Sequence, residues 1–180
     1  MATKKKMLQA AAGVGGEPEG AWDLSYAYYD PPVNLTWNVS TIQYLLKQFS
    51  VASQETSPQG VSFKPDGTKM YVIGESSDAV NEYNLSTAWD ITTASYSQNF
   101  SVSSQETAPS DVFFKPDGTK MYVVGYVGRK TNEYTLSTAW DVSTASYTRN
   151  FNSSAQDLSQ TSVFFKPDGT KMYILGLFND

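Results

Sequence analysis

What chemistry this chain can do is narrowed first by what it lacks. Its 180 residues include no histidine and no cysteine. That removes the commonest metal ligand, the commonest general base, every thiol nucleophile and any disulfide framework. Carboxylates, tyrosines and basic side chains are what remain. One cluster of them differs between otherwise similar stretches, Glu75 and Asp78 in one and Tyr126, Arg129 and Lys130 in the other, and a second variable cluster, Gln59-Gly60 against Ser110-Asp111, is expected on the same face. Mixed charge beside an aromatic, carried on loops, suits contact with a ligand or a neighbouring subunit. No base and no set of ligands converges in the strands. The sequence therefore predicts no catalytic, cofactor-binding or metal-binding residue, and a contact face built from these five side chains.

The elements that must position that face come from a repeat. Phe49 to Asn99 aligns without gaps on Phe100 to Asn150, with 34 of 51 positions identical, and a third copy starts at Phe151. A period this long with no helical spacing points to a repeated supersecondary unit. Within each unit four strands are expected: 61–63, 69–73, 80–85 and 95–102 in the first copy. The segment Lys64-Pro65-Asp66-Gly67 joins the first two, because Pro and Asp-Gly supply the restricted and positive φ values of a tight hairpin. Ser86-Thr87-Ala88-Trp89-Asp90 joins the last two as a turn with an aromatic plug. Four short strands per unit predict the blade of a β-propeller, so the fold class is all-β, with about three blades per chain and neither end complete. Residues 1–20 read as a flexible polar arm and 21–48 as a degenerate lead-in with an outer strand near Tyr44–Val51. Residues 49–180 form the array, divided into 49–99, 100–150 and a partial 151–180. The lead-in repeats the turn twice, as Asn34-Leu35-Thr36-Trp37-Asn38 and as Ala21-Trp22-Asp23-Leu24-Ser25.

Other motifs reduce to structure. Trp22, Trp37, Trp89 and Trp140 each sit in the repeated turn, so they are expected to seal a sheet edge rather than stack on sugar. Asp66, Asp117 and Asp168 belong to the hairpins; one Asp-Gly per hairpin falls short of the six to eight oxygens calcium takes. Asn34, Asn38, Asn84, Asn99 and Asn152 begin Asn-x-Ser/Thr triplets, which matter only in a glycosylating secretory system. Lys4-Lys5-Lys6 is a solvated run. The net charge of −5 argues against broad nucleic-acid binding. No stretch approaches the roughly 20 apolar residues that span a bilayer.

The repeated Phe-Lys-Pro-Asp-Gly-Thr-Lys-Met-Tyr, at 63–71, 114–122 and 165–173, with Glu-Tyr-x-Leu-Ser-Thr-Ala-Trp-Asp, resembles the propeller repeats of tailed-phage virion and tail proteins, especially marine ones. The resemblance covers residues 21–180. It implies a non-enzymatic structural or assembly protein of a virion, tail or fibre, located on the particle or outside the cell. It also implies homo-oligomers or other virion subunits as partners, with a glycan receptor on the contact face. A secreted carbohydrate-binding propeller module is the alternative. The lead-in of one chain is expected to complete the third blade of another, or the chain to belong to a longer protein.

Overall fold

The computed structural model describes residues 47–155 and 159–177. Ten strands run in chain order: β1 Pro58–Phe63, β2 Lys69–Gly74, β3 Ala79–Leu85, β4 Ala94–Ser101, β5 Pro109–Phe114, β6 Lys120–Gly125, β7 Lys130–Leu136, β8 Ala145–Asn152, β9 Gln160–Phe165 and β10 Met172–Gly176. They form a first four-stranded sheet β1-β2-β3-β4, a second β5-β6-β7-β8, and an antiparallel pair β9-β10. Every pairing is antiparallel between sequence neighbours. The four expected strands are present in each of the two full units, displaced or extended by one to three residues, and the third unit shows its first two. The arm and most of the lead-in lie outside the described residues. Of the strand expected near Tyr44–Val51, residues 47–51 are described and carry no strand.

Local chemistry explains both kinds of turn. In the first hairpin Gly67 takes φ 72, and Asp66 Oδ1 accepts from the Thr68 N–H at 3.0 Å. The same arrangement recurs around Asp117 and Asp168. This is an Asx turn, with the side chain closing the bend. The second turn carries more than the sequence suggested. Trp89 and Trp140 stand at φ 64 and 65, a left-handed conformation that costs an L residue about 1–2 kcal/mol. Each is followed by a single 3₁₀ turn, Ile91–Thr93 or Val142–Thr144, capped by Asp90 or Asp141. The strained backbone lays the indole over the hairpin glycine of its own sheet. A Cβ on Gly67 would lie 2.4 Å from the Trp89 ring, and one on Gly118 2.3 Å from that of Trp140. The indoles thus act as plugs.

The sheets stack face on face. Tyr71, Ile73 and Val80 of the first sheet meet Val112, Phe114, Met121, Val123, Tyr134 and Leu136 of the second. The other face of the first sheet gathers Met70, Val72, Tyr83 and Leu85 under Phe49 and Val51. Phe49 meets Tyr83 edge-on at 5.5 Å, as Phe100 meets Tyr134 at 5.4 Å one period later. Polar bonds lock the first two sheets. Fully buried Glu82 pairs with Lys69 at 2.5 Å and accepts from Gln98 Nε2 at 3.1 Å and from the Val142 N–H of the second sheet at 3.1 Å. The Trp140 carbonyl accepts from Tyr71 Oη at 2.8 Å and from Lys69 Nζ at 3.1 Å. No helix among the described residues is long and apolar enough to cross a membrane.

Candidate functional site

Residues 75–78 join β2 to β3, and residues 126–129 join β6 to β7. Each loop is shaped by a buried carboxylate from the segment leading into the sheet. Glu55 accepts from the N–H groups of Ser57 at 2.7 Å, Ser76 at 3.1 Å and Ser77 at 3.1 Å, from Ser77 Oγ at 2.7 Å, and from Ser76 Oγ. Burial alone would raise its pKa. The hydroxyls of Ser76 and Ser77 with the Ser57 and Ser77 N–H groups outweigh that and hold it down at about 2. Glu106 does the same work in the second sheet, accepting from Ala108, Val127 and Gly128 N–H groups at 2.9, 3.2 and 2.7 Å. A Cβ on Gly128 would sit 2.6 Å from Glu106 Oε2, whereas the first sheet makes the equivalent bond from Ser77.

These clamps set the loop tips. Asp78 is held at φ 47 by its carbonyl, which accepts from the Val102 N–H at 2.8 Å. Its Oδ1 is buried and has no hydrogen-bond partner among the described residues. Burial first, and the neighbouring Glu55 charge second, push the Asp78 pKa up. One period on, Arg129 occupies the same position at φ 53 and is exposed. Adjacent sheets therefore carry an acid and a guanidinium at matching strained tips. Clustered strain and a carboxyl pair whose affinities for protons are driven apart are marks of a working site.

The five side chains expected on a contact face divide. Glu75 is exposed and accepts from Gln59 Nε2 at 3.2 Å, so the two variable clusters of the first unit meet. Tyr126 is its partly buried counterpart, tied back through its N–H to the Ala108 carbonyl at 3.0 Å. Asp78 and Arg129 stand at the tips. Lys130 is corrected from loop to strand: it opens β7, paired with Asn152. The second variable cluster also changes meaning in the second sheet. Asp111 Oδ2 accepts from Ser162 Oγ at 2.7 Å and the Val163 N–H at 3.0 Å, and Ser110 Oγ donates to the Gln160 carbonyl at 2.9 Å. Those residues join sheets rather than face a ligand. Sequence reasoning missed Glu55 and Glu106, which are identical in both copies and gave no contrast to find them by. The Ser-Gln-Glu-Thr motif common to both was the available signal.

No family model matches the chain, and no curated protein matches it. Solved structures do. A candidate 6-phosphogluconolactonase of Bacteroides uniformis aligns with TM-score 0.54 at 15% identity, covering 73% of this chain and 38% of that one. A second, of Bacteroides fragilis, aligns with TM-score 0.53 at 14% identity over 66% and 32% of the two chains. A protein of unknown function from Desulfotomaculum acetoxidans aligns with TM-score 0.51 at 17% identity over 67% and 35%. The chain thus spans about a third of the length of these neighbours.

These likenesses establish a propeller-like all-β fold and correct two expectations. The non-enzymatic virion, tail or fibre role is not retained, nor is the statement that the chain is no enzyme, because this architecture is shared with chains named for lactone chemistry. The sequence argument looked for clustered carboxylates along the strands, whereas Glu55 and Asp78 feel each other's charge through loops.

Proposed function

We propose that the sheets are successive blades of a β-propeller, and that the chain contributes them to an enzyme that opens a sugar-acid lactone at the face carrying the β2–β3 and β6–β7 loops. The observation that supports this best is that Asp78 and Arg129 stand at equivalent positive-φ tips of the β2–β3 and β6–β7 loops, with the Glu55 charge acting on the acid. Ionised Asp78 takes a proton from water as the water oxygen bonds to the lactone carbonyl carbon. The ring C–O bond then breaks, and the same proton passes from Asp78 to the departing alkoxide, leaving a hydroxy acid. A carboxyl with a raised pKa suits both steps, since it must return the proton it takes. Arg129 offers its fork to a phosphate or to the carbonyl oxygen as charge develops there. Tyr126 and Lys130 flank it, and Glu75 with Gln59 borders the acid.

The test follows ring opening of 6-phosphogluconolactone and of its unphosphorylated analogue by titration of the released acid. Asp78→Asn is expected to lower kcat by roughly a hundredfold, the usual lower range for a general acid–base group. In the unmutated chain kcat/KM should rise with pH as the Asp78 carboxyl ionises. Arg129→Ala should raise KM for the phosphorylated lactone more than for the other. A rate no greater than spontaneous hydrolysis on both substrates refutes the proposal, as does an Asp78→Asn variant of full activity.

A further inference from the structure

The two full units repeat the carboxylate clamp beneath their loops, but only the first surrounds it with hydroxyls. There Ser77 Oγ forms a bridge, donating to Glu55 Oε2 at 2.7 Å and accepting from Asn81 Nδ2 at 3.2 Å. Asn81 lies on β3 and is fully buried. Ser76 Oγ gives the same carboxylate a further bond. One period on, Glu106 and Asn132 stand in the places of Glu55 and Asn81, while Ser76 becomes Val127 and Ser77 becomes Gly128. The bridge thus keeps both ends and loses its middle.

The frame around it is otherwise the same. Asn81 pairs with Val72 and Asn99, and Asn132 with Val123 and Asn150. Tyr83 Oη donates to Gln54 Oε1 at 3.4 Å, as Tyr134 Oη does to Gln105 Oε1 at 3.3 Å. Val123 and Tyr134, on the same strand face as Asn132, belong to the core between the first two sheets. Asn132 is 1% exposed, yet neither its Nδ2 nor its Oδ1 has a hydrogen-bond partner among the described residues. Glu106, equally buried, receives three N–H groups where Glu55 receives three N–H groups and two hydroxyls. Its Oε2 accepts from the Gly128 N–H and has lone-pair capacity for another donor. A buried amide without partners is costly, and folded proteins meet such groups with protein or with internal water.

We infer that the second unit binds an internal water molecule in the place of the Ser77 hydroxyl, donating to Glu106 Oε2 and accepting from Asn132 Nδ2. The place calls for one donor and one acceptor on the same atom, which water supplies and which a metal ion or an ammonium ion does not. Among the described residues no group of three or more carboxylates is gathered to hold a metal. Glycine belongs to the same arrangement. Its N–H comes to 2.7 Å from Glu106 Oε2, against 3.1 Å for Ser77 on Glu55, and a Cβ there would meet Oε2 at 2.6 Å and the Gln105 carbonyl at 2.8 Å. A side chain at 128 and the water therefore compete for one place. The water ties the loop that carries Arg129 to β7, as a serine ties the loop that carries Asp78 to β3. This site does not depend on the lactone-opening proposal.

Diffraction from crystals of the full chain tests it, together with oxygen-17 relaxation dispersion in solution, which counts long-lived internal waters and is blind to hydroxyls. An ordered oxygen within about 3.2 Å of both Asn132 Nδ2 and Glu106 Oε2 is expected. In Gly128→Ser the serine Oγ should take that place, and the internal-water count should fall by one. Gly128→Ala crowds the carboxylate equally but offers no hydroxyl. The folding equilibrium of the serine variant should therefore be roughly fivefold more favourable than that of the alanine variant, read by urea unfolding. An unmutated chain with no ordered oxygen at that place overturns the inference, as does an atom there whose occupancy follows the salt supplied. So does a water count unchanged by Gly128→Ser, or equal stability of the two variants. Should neither variant fold, diffraction from the unmutated chain decides alone.

Discussion

Three hairpins with the same sequence offer a controlled measurement of what the indole plug is worth. Gly118 and Gly169 both sit at φ 73 in a Lys-Pro-Asp-Gly-Thr-Lys turn. Alanine at either position carries the same backbone cost, about 1–2 kcal/mol for a left-handed L residue. Their surroundings differ. A Cβ at Gly118 would lie 2.3 Å from the Trp140 ring, while one at Gly169 meets nothing within 4 Å among the described residues. Ordinary carbon contact is near 3.5–4.0 Å, so Gly118→Ala must drive the indole out by more than an ångström. Trp140 cannot move that far without loosening its stacking on Phe114 at 5.4 Å and the bonds its carbonyl receives from Tyr71 and Lys69. Overpacking of this kind costs about 1–3 kcal/mol more. Gly118→Ala should therefore lose about 2–5 kcal/mol against about 1–2 kcal/mol for Gly169→Ala. Urea unfolding of the full chain, followed by tryptophan fluorescence with matched slopes, reads the difference. Equal losses would refute the reasoning, because they would mean that the indole yields freely and carries no packing between sheets.

Glu82→Ala should destabilise the chain by about 3 kcal/mol or more, as removal of one member of a buried ion pair strands Lys69 and the Val142 N–H. The equivalent Glu133→Ala should cost under about 1 kcal/mol, since its partners Lys120 and Arg149 are solvated; parallel urea titrations check the ratio. Glu55 has a native pKa held down at about 2 against an ordinary value of 4.5. Its stabilising effect is fully present above pH 4.5 and is lost as pH falls toward 2, because the unfolded chain takes up the proton first. Glu55→Gln should lower stability at neutral pH and flatten the acid limb in that window, read by circular dichroism against pH.

Local features of this protein were legible from its residues because they are local in cause. The 51-residue period, the Asp-Gly hairpins and the alternation along 80–85 each depend on neighbours a few positions away, and the strands appear where those signals lie. Even so, the positive φ of Trp89 and Trp140 was not readable, since tryptophan has no preference for that region. The conformation is imposed by the bond from the Trp89 N–H to the Gly67 carbonyl at 2.9 Å and by the ring's seat on the glycine.

The candidate site was half legible. Contrast between copies marked residues 75–80 and 126–131 as a variable loop, of which 79–80 and 130–131 open β3 and β7, and it passed over Glu55 and Glu106 because they do not vary. It also treated Ser110 and Asp111 as surface, when they tie the second sheet to β9.

The amino-acid sequence by itself determined the repeat, the strands, the turns and the absence of histidine and thiol chemistry, all set by short-range preference and composition. Only the tertiary structure decided which carboxylates lie together and which loop tips are strained. Those depend on distances between residues far apart in the chain, created when one sheet is laid on the next.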